Sequence, residues 1–136
     1  MKRTRILMKL CSLVMLFAIV GCFKRPAVKV ESSGSSVIIH VETLGEYPTT
    51  IRHIRIKDTS SEKVVFELLT ESGTPQIYSF RLSPGGNSTH VIDPEHGSYR
   101  VAEPSGKDTF VLQRGVPYRL TIWGDGSRSS EVDVRF

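Results

Sequence analysis

The chain has 136 residues, with 18 Lys and Arg against 14 Asp and Glu, a formal net charge of +4 at pH 7 and only two cysteines. The excess charge is confined to residues 1–21, which hold Lys2, Arg3, Arg5 and Lys9 and no acid, so the remaining 14 basic residues balance the 14 acidic ones. A balanced chain lacks the field that gathers nucleic acid. With cysteine only at positions 11 and 22, residues 23–136 have no thiol for a disulfide, a thiolate metal site or a nucleophile.

In chain order, the basic start is followed by an apolar run from Leu10 to Gly21. A basic n-region before an apolar stretch of about a dozen residues is the layout of a secretory signal. It is too short to span a bilayer, which takes roughly 20 apolar residues. Lys9 on one side, and Lys24 and Arg25 on the other, prevent its extension.

The run ends in Ile19-Val20-Gly21-Cys22, which resembles the lipobox of bacterial lipoproteins: an aliphatic residue, a tolerant position, a small residue and a cysteine. The resemblance implies a diacylglyceryl group on the Cys22 thiol, cleavage between Gly21 and Cys22, and acylation of the new amino group. Two or more acyl chains hold a protein stably on a membrane where one does not. Phe23, rather than Asp, follows the cysteine, which by resemblance to enteric sorting implies the inner leaflet of the outer membrane, with the inner membrane as the alternative. Residues 22–36 then read as the lipidated cysteine and a flexible tether, given Pro26 and the Ser/Gly-rich end. The alternation of Val28 and Val30 also allows an edge strand.

Residues 37–136 read as one domain, with a period of two throughout. Val37, Ile39 and Val41 share a face, as do Ile54 and Ile56, while Ile51 is out of phase and suggests a bulge. The pattern continues through Val64, Phe66 and Leu68; Tyr78, Phe80 and Leu82; Tyr99 and Val101; Phe110 and Leu112; Tyr118, Leu120 and Ile122; and Val132, Val134 and Phe136. Residues 60–73 could alternatively form a helix capped by Ser and stopped by Gly73, although Val64-Val65-Phe66 favours a strand. Turn residues at 83–87, 93–97, 104–108 and 123–127 separate these stretches. About eight short strands divided by turns predict an all-β sandwich.

Leu112, Gly115 and Tyr118 have the spacing that resembles the entry to the sixth strand of fibronectin type III and other immunoglobulin-like domains. There a tyrosine hydroxyl bonds back to the preceding loop, a tyrosine corner. The resemblance covers about 11 residues and implies an immunoglobulin-like sandwich; a transthyretin-like sandwich would give a similar pattern.

Catalytic motifs are absent: the chain has no G-x-S-x-G elbow, no phosphate-cradling glycine loop and no H-E-x-x-H. His90, Asp93, Glu95 and His96 form the one cluster of metal-ligating residue types, but a zinc site needs three or four ligands converging at about 2 Å. A turn begun by Asp93-Pro94, with His96 exposed, accounts for them equally. His40 and His53 fall on what read as neighbouring strands, each opposite an apolar face. Trp123 is either a rim aromatic for partner or sugar contact or a cap on the core. Asn87-Ser88-Thr89 matches a glycosylation acceptor that the lipobox makes idle.

The sequence therefore predicts no catalytic, cofactor or metal residues, and no enzyme. It predicts a periplasm-facing lipoprotein that acts as a protein-interaction module for an unidentified envelope partner. A small inhibitor or ligand-binding lipoprotein, for example against lysozyme or a carbohydrate, is the alternative.

Overall fold

The computed structural model describes residues 26–42, 51–71, 77, 79–92, 99–124 and 129–136. The expected signal, lipobox and cleavage site, and Cys22 itself, lie outside these residues. The alternating stretches are strands. In chain order they are β1 (Ala27–Ser33), β2 (Ser36–Glu42), β3 (His53–Asp58), β4 (Val64–Thr70), β5 (Ser79–Leu82), β6 (Gly85–Ser88), β7 (Tyr99–Glu103), β8 (Thr109–Leu112), β9 (Pro117–Trp123) and β10 (Ser129–Arg135). A 3-10 turn, Thr89–Val91, follows β6.

All pairings are antiparallel. They form a three-stranded sheet ordered β1-β2-β5, a five-stranded sheet ordered β10-β9-β3-β4-β7, and a two-stranded ribbon of β6 and β8. The inward residues of all three close on one core. Val37, Ile39, Val41, Phe80 and Leu82 come from the small sheet; Ile54, Ile56, Phe66, Leu68, Tyr118, Leu120, Ile122 and Val134 from the large one; and Phe110 and Leu112 from the ribbon. Full burial of each such side chain contributes about 1.5–3 kcal/mol, so with no disulfide available the fold rests on this shared interior. The architecture is the predicted all-β sandwich.

Several expectations need correction. The expected tether over 22–36 does not hold across Ala27–Ser33, which is strand β1, in register with β2 from Ala27↔Glu42 to Ser33↔Ser36. Val28 and Val30 pack against the core, and that burial favours the strand over a coil. The folded domain thus begins ten residues before Val37. Residues 64–70 are strand and not helix, because β4 sits between β3 and β7 with Phe66 and Leu68 fully buried. The irregularity expected beside Ile51 lies instead between Ile56 and Lys57. Ile51 is nonetheless buried, just ahead of β3, where the next residue donates a hydrogen bond from Arg52 N to the Trp123 carbonyl (2.8 Å).

The β6 segment, read as part of a turn, is also a strand. Asn87 makes this possible by folding its amide back onto the chain. Its Oδ1 accepts from Ser83 N (2.9 Å), and its Nδ2 donates to the carbonyls of Ser83 (2.8 Å) and Gly85 (3.1 Å).

The sandwich has two distinct ends. Ala27, His53, Thr70, Tyr99, Trp123 and Ser129 lie at or near the strand termini of one, termed here the near end. The start of β1 is fastened there, where Ser130 Oγ donates to the Pro26 carbonyl. Asp58, Val64, Glu103, Pro117 and Arg135 mark the far end. Seven-residue strands separate the two by roughly 20 Å.

Candidate interaction surfaces

Alternation turns His53 and Arg55 of β3, Glu67 of β4, and Thr121 and Trp123 of β9 to the outer face of the large sheet. Register then brings them together, since His53 lies opposite both Trp123 and Leu69, and Arg55 opposite both Thr121 and Glu67. The His53 and Trp123 rings stack at 4.2 Å with 13° between their planes, and the Arg55 guanidinium lies 5.3 Å from the indole centre. Glu67 Oε1 accepts from Arg55 Nε (2.9 Å) and Nη2 (2.7 Å), and it lies 2.8 Å from His53 Nε2. An ionised carboxylate only accepts, so His53 carries a proton on Nε2.

Burial lowers the His53 pKa and outweighs the raising effect of Glu67. Burial pushes the Glu67 carboxyl up, but the hydrogen bonds from Arg55 and His53 leave it lower than usual. The cluster is therefore a neutral imidazole, a carboxylate and a guanidinium beside an indole. It gathers on one face Trp and Arg, residue types that dominate interface energetics.

The far end is built differently. Tyr118, 2% exposed, accepts a hydrogen bond at its hydroxyl from Gln113 N (2.8 Å), and Gly115 between them sits at φ 77°. This is the predicted tyrosine corner, in the loop between β8 and β9. The turn after β3 is closed by Asp58, whose Oδ1 accepts from Ser60 N (2.8 Å) and Ser60 Oγ (2.6 Å) and whose Oδ2 accepts from Ser61 Oγ (2.7 Å). The serine hydrogen bonds hold the Asp58 carboxyl down at about 2.

Between this turn, the end of β7 and β8 lies a cleft of about 540 Å³, lined among others by Lys63, Glu103, Pro104, Lys107 and Val111. Val111, at 58%, and Val91, at 41%, are the exposed large hydrophobic residues among those described. One is on the β6–β8 ribbon and the other in the 3-10 turn that continues it.

The structure separates the other candidates singled out in the sequence. His40 and His53 belong to different sheets, so they are not neighbours; His40 Nε2 lies instead 3.2 Å from Glu31 Oε2 on β1. His90 is exposed, 3.9 Å from Asp108 Oδ1, while Asp93, Glu95 and His96 lie outside the described residues. Among the described residues, no three His, Cys, Asp or Glu side chains are placed to share a metal ion.

Trp123 does not cap the core. It lies half-buried on the outer face against His53. Asn87 is 7% exposed with its amide committed to Ser83 and Gly85, which fits the idle reading of Asn87-Ser88-Thr89. Nothing local in the chain signals the partnership of His53, Arg55 and Glu67 with Trp123, because it depends on the pairing of β3 with both β4 and β9.

No protein-family model matches the chain, and no curated protein matches it. Among the described residues no helix is long and apolar enough to cross a membrane.

Proposed function

We propose that the protein is a bacterial envelope lipoprotein, held through Cys22 on the periplasmic side of a membrane, and that its sandwich is a non-catalytic protein-interaction module. The outer membrane is the favoured location, from Phe23 after the cysteine. The observation that carries the interaction reading is the β6–β8 region, where Val111 stays exposed on the wall of a cleft that Lys63, Lys107 and Glu103 also line, and Val91 is exposed in the turn that continues the ribbon. An apolar centre with a charged rim is the anatomy of a protein interface. The alternative, an inhibitor or ligand-binding lipoprotein, draws its support from the size of the same cleft, which falls within the range of small-ligand sites.

Cys22→Ser is expected to abolish incorporation of labelled palmitate in cells and to release the protein from membranes; unchanged labelling would refute the anchor. A photo-crosslinking residue at position 111 is expected to give a discrete adduct with an envelope protein, and V111E is expected to weaken the complex. An anchored protein that gives no protein adduct from position 111 would refute the interaction reading.

A further inference from the structure

We infer that the near end of the sandwich lies against the headgroups of the bilayer, with Trp123 at the water–lipid boundary and the β6–β8 region turned away from the membrane. The inference rests on the anchor at Cys22 and concerns how the domain stands on it.

The carrying observation is the start of β1. Had residues 22–36 been a free tether, about 14 residues of chain could have lifted the domain some 45 Å from the lipid. Instead Ala27 is paired with Glu42, and the Pro26 carbonyl is bound by Ser130. Only Phe23, Lys24 and Arg25 stand between the cysteine and Pro26. Four Cα steps reach at most about 14 Å, and the headgroup layer itself takes up roughly 5–8 Å of that. A domain leashed this tightly cannot stand clear of the surface, and the end at which the leash enters must face it.

The side chains at that end suit the position. Trp123 is half-buried on the outer face, at the same level as Ser129 and His53. Tryptophan is favoured at bilayer interfaces, where an apolar ring and a polar edge are both accommodated. Arg52, exposed, precedes His53 and donates its backbone N–H to the Trp123 carbonyl. Arg100, also exposed, lies in the same row beyond Leu69, its Nε 3.4 Å from Glu71 Oε1. Guanidinium groups bind phosphate oxygens well. By contrast, Val111 and the cleft with Asp58, Lys63 and Glu103 sit a strand length away, where a partner has open approach.

Trp123 is the only tryptophan in the chain, so its fluorescence reports on this end alone. The test uses the full protein, isolated from membranes with its palmitate content measured, in phospholipid vesicles containing a lipid spin-labelled near the headgroup. The expected result is clear loss of Trp123 emission relative to vesicles without the spin label, since an interfacial indole sits at headgroup level. The same vesicles should leave the emission nearly unchanged in a Trp123→Phe protein carrying V111W. Palmitate-bearing protein whose Trp123 is unquenched, or no more quenched than the position 111 reporter, would overturn the orientation and leave the anchor standing. Protein with no palmitate would overturn the anchor reading and the orientation with it.

Discussion

The two ends of the sandwich are closed by the same residue type used in opposite ways. At the far end, the Tyr118 hydroxyl accepts from Gln113 N, five residues earlier, and Asp58 binds serines two and three residues on. These side-chain closures are local, although Thr59, in the same turn as the serines, donates from N and Oγ1 to the Pro117 carbonyl (3.0 and 3.1 Å). At the near end, the Tyr99 hydroxyl donates to the Ile51 carbonyl, 48 residues away, at 3.2 Å. Thr70 Oγ1 donates to the same carbonyl and to that of Arg52, and Arg52 is tied in turn to Trp123. The near end is thus a clasp joining four segments through side-chain hydroxyls and the Arg52 backbone N–H, whereas the far end combines turns closed by their own side chains with backbone ties from Thr59 to the Pro117 carbonyl and from Gly115 to the Phe136 carbonyl (both 3.0 Å). Turns closed by their own side chains can present a binding surface without disturbing the sheets, while a clasp suits the end at which the proposed anchor would enter.

That contrast can be broken or sharpened by measurement. The largest effect is expected from Phe66→Ala, which empties a fully buried site stacked on Phe110 at 4.5 Å. It should cost about 3–5 kcal/mol and lower hydrogen-exchange protection at both ends together, since they share one core; loss at one end only would show two separate cores.

Tyr118→Phe should cost about 1–2 kcal/mol by taking away the acceptor of Gln113 N, with lost protection confined to the loop between β8 and β9. Tyr99→Phe should cost less, about 0.5–1 kcal/mol, because Thr70 still serves the Ile51 carbonyl. Denaturant unfolding of the two variants gives the comparison, and the reverse order would remove the distinction drawn here.

The smallest effect is an order of events in acid. The His53 pKa lies below its usual 6.5 in the fold. The unfolded chain therefore protonates first, and the stability His53 contributes, complete above about 6.5, drains as pH falls through its lower folded value. Glu67 follows below 4.5. The Asp58 contribution is retained down to 3.8 and lost between there and about 2. Hydrogen exchange against pH should show the near end loosening before the far one, with His53→Gln flattening the upper part of the profile of urea midpoint against pH. A profile indifferent to that substitution would contradict the assignment.

What the sequence disclosed was whatever depends on neighbours in the chain. The alternation of Val37, Ile39 and Val41, or of Tyr118, Leu120 and Ile122, is a local consequence of the pleat and needs no knowledge of pairing partners. The tyrosine corner was legible for the same reason, since Gln113, Gly115 and Tyr118 lie within six positions. β1 was legible only as an option, because Val28 and Val30, alternating with Lys29 and Glu31, give a weak pattern until β2 is there to pair with. β6 was hidden because Gly85, Gly86 and Asn87 favour turns, and only the buried amide of Asn87 makes them a strand. The surface around Trp123 was hidden most deeply, because His53 and Trp123 lie 70 positions apart and meet only through register. His40 and His53 fail as neighbours because the chain changes sheets between them.

The adjacency of Pro26–Val28 to Ser129–Val132 also has a kinetic consequence. β1 and β10 lie side by side, so a polypeptide delivered N-terminus first, from a ribosome or through a translocation pore, cannot complete its fold until Ser129–Arg135 has arrived. Contacts of such long sequence separation form slowly. The chain would stay threadable throughout its passage, and the seam would shut only after the journey is over.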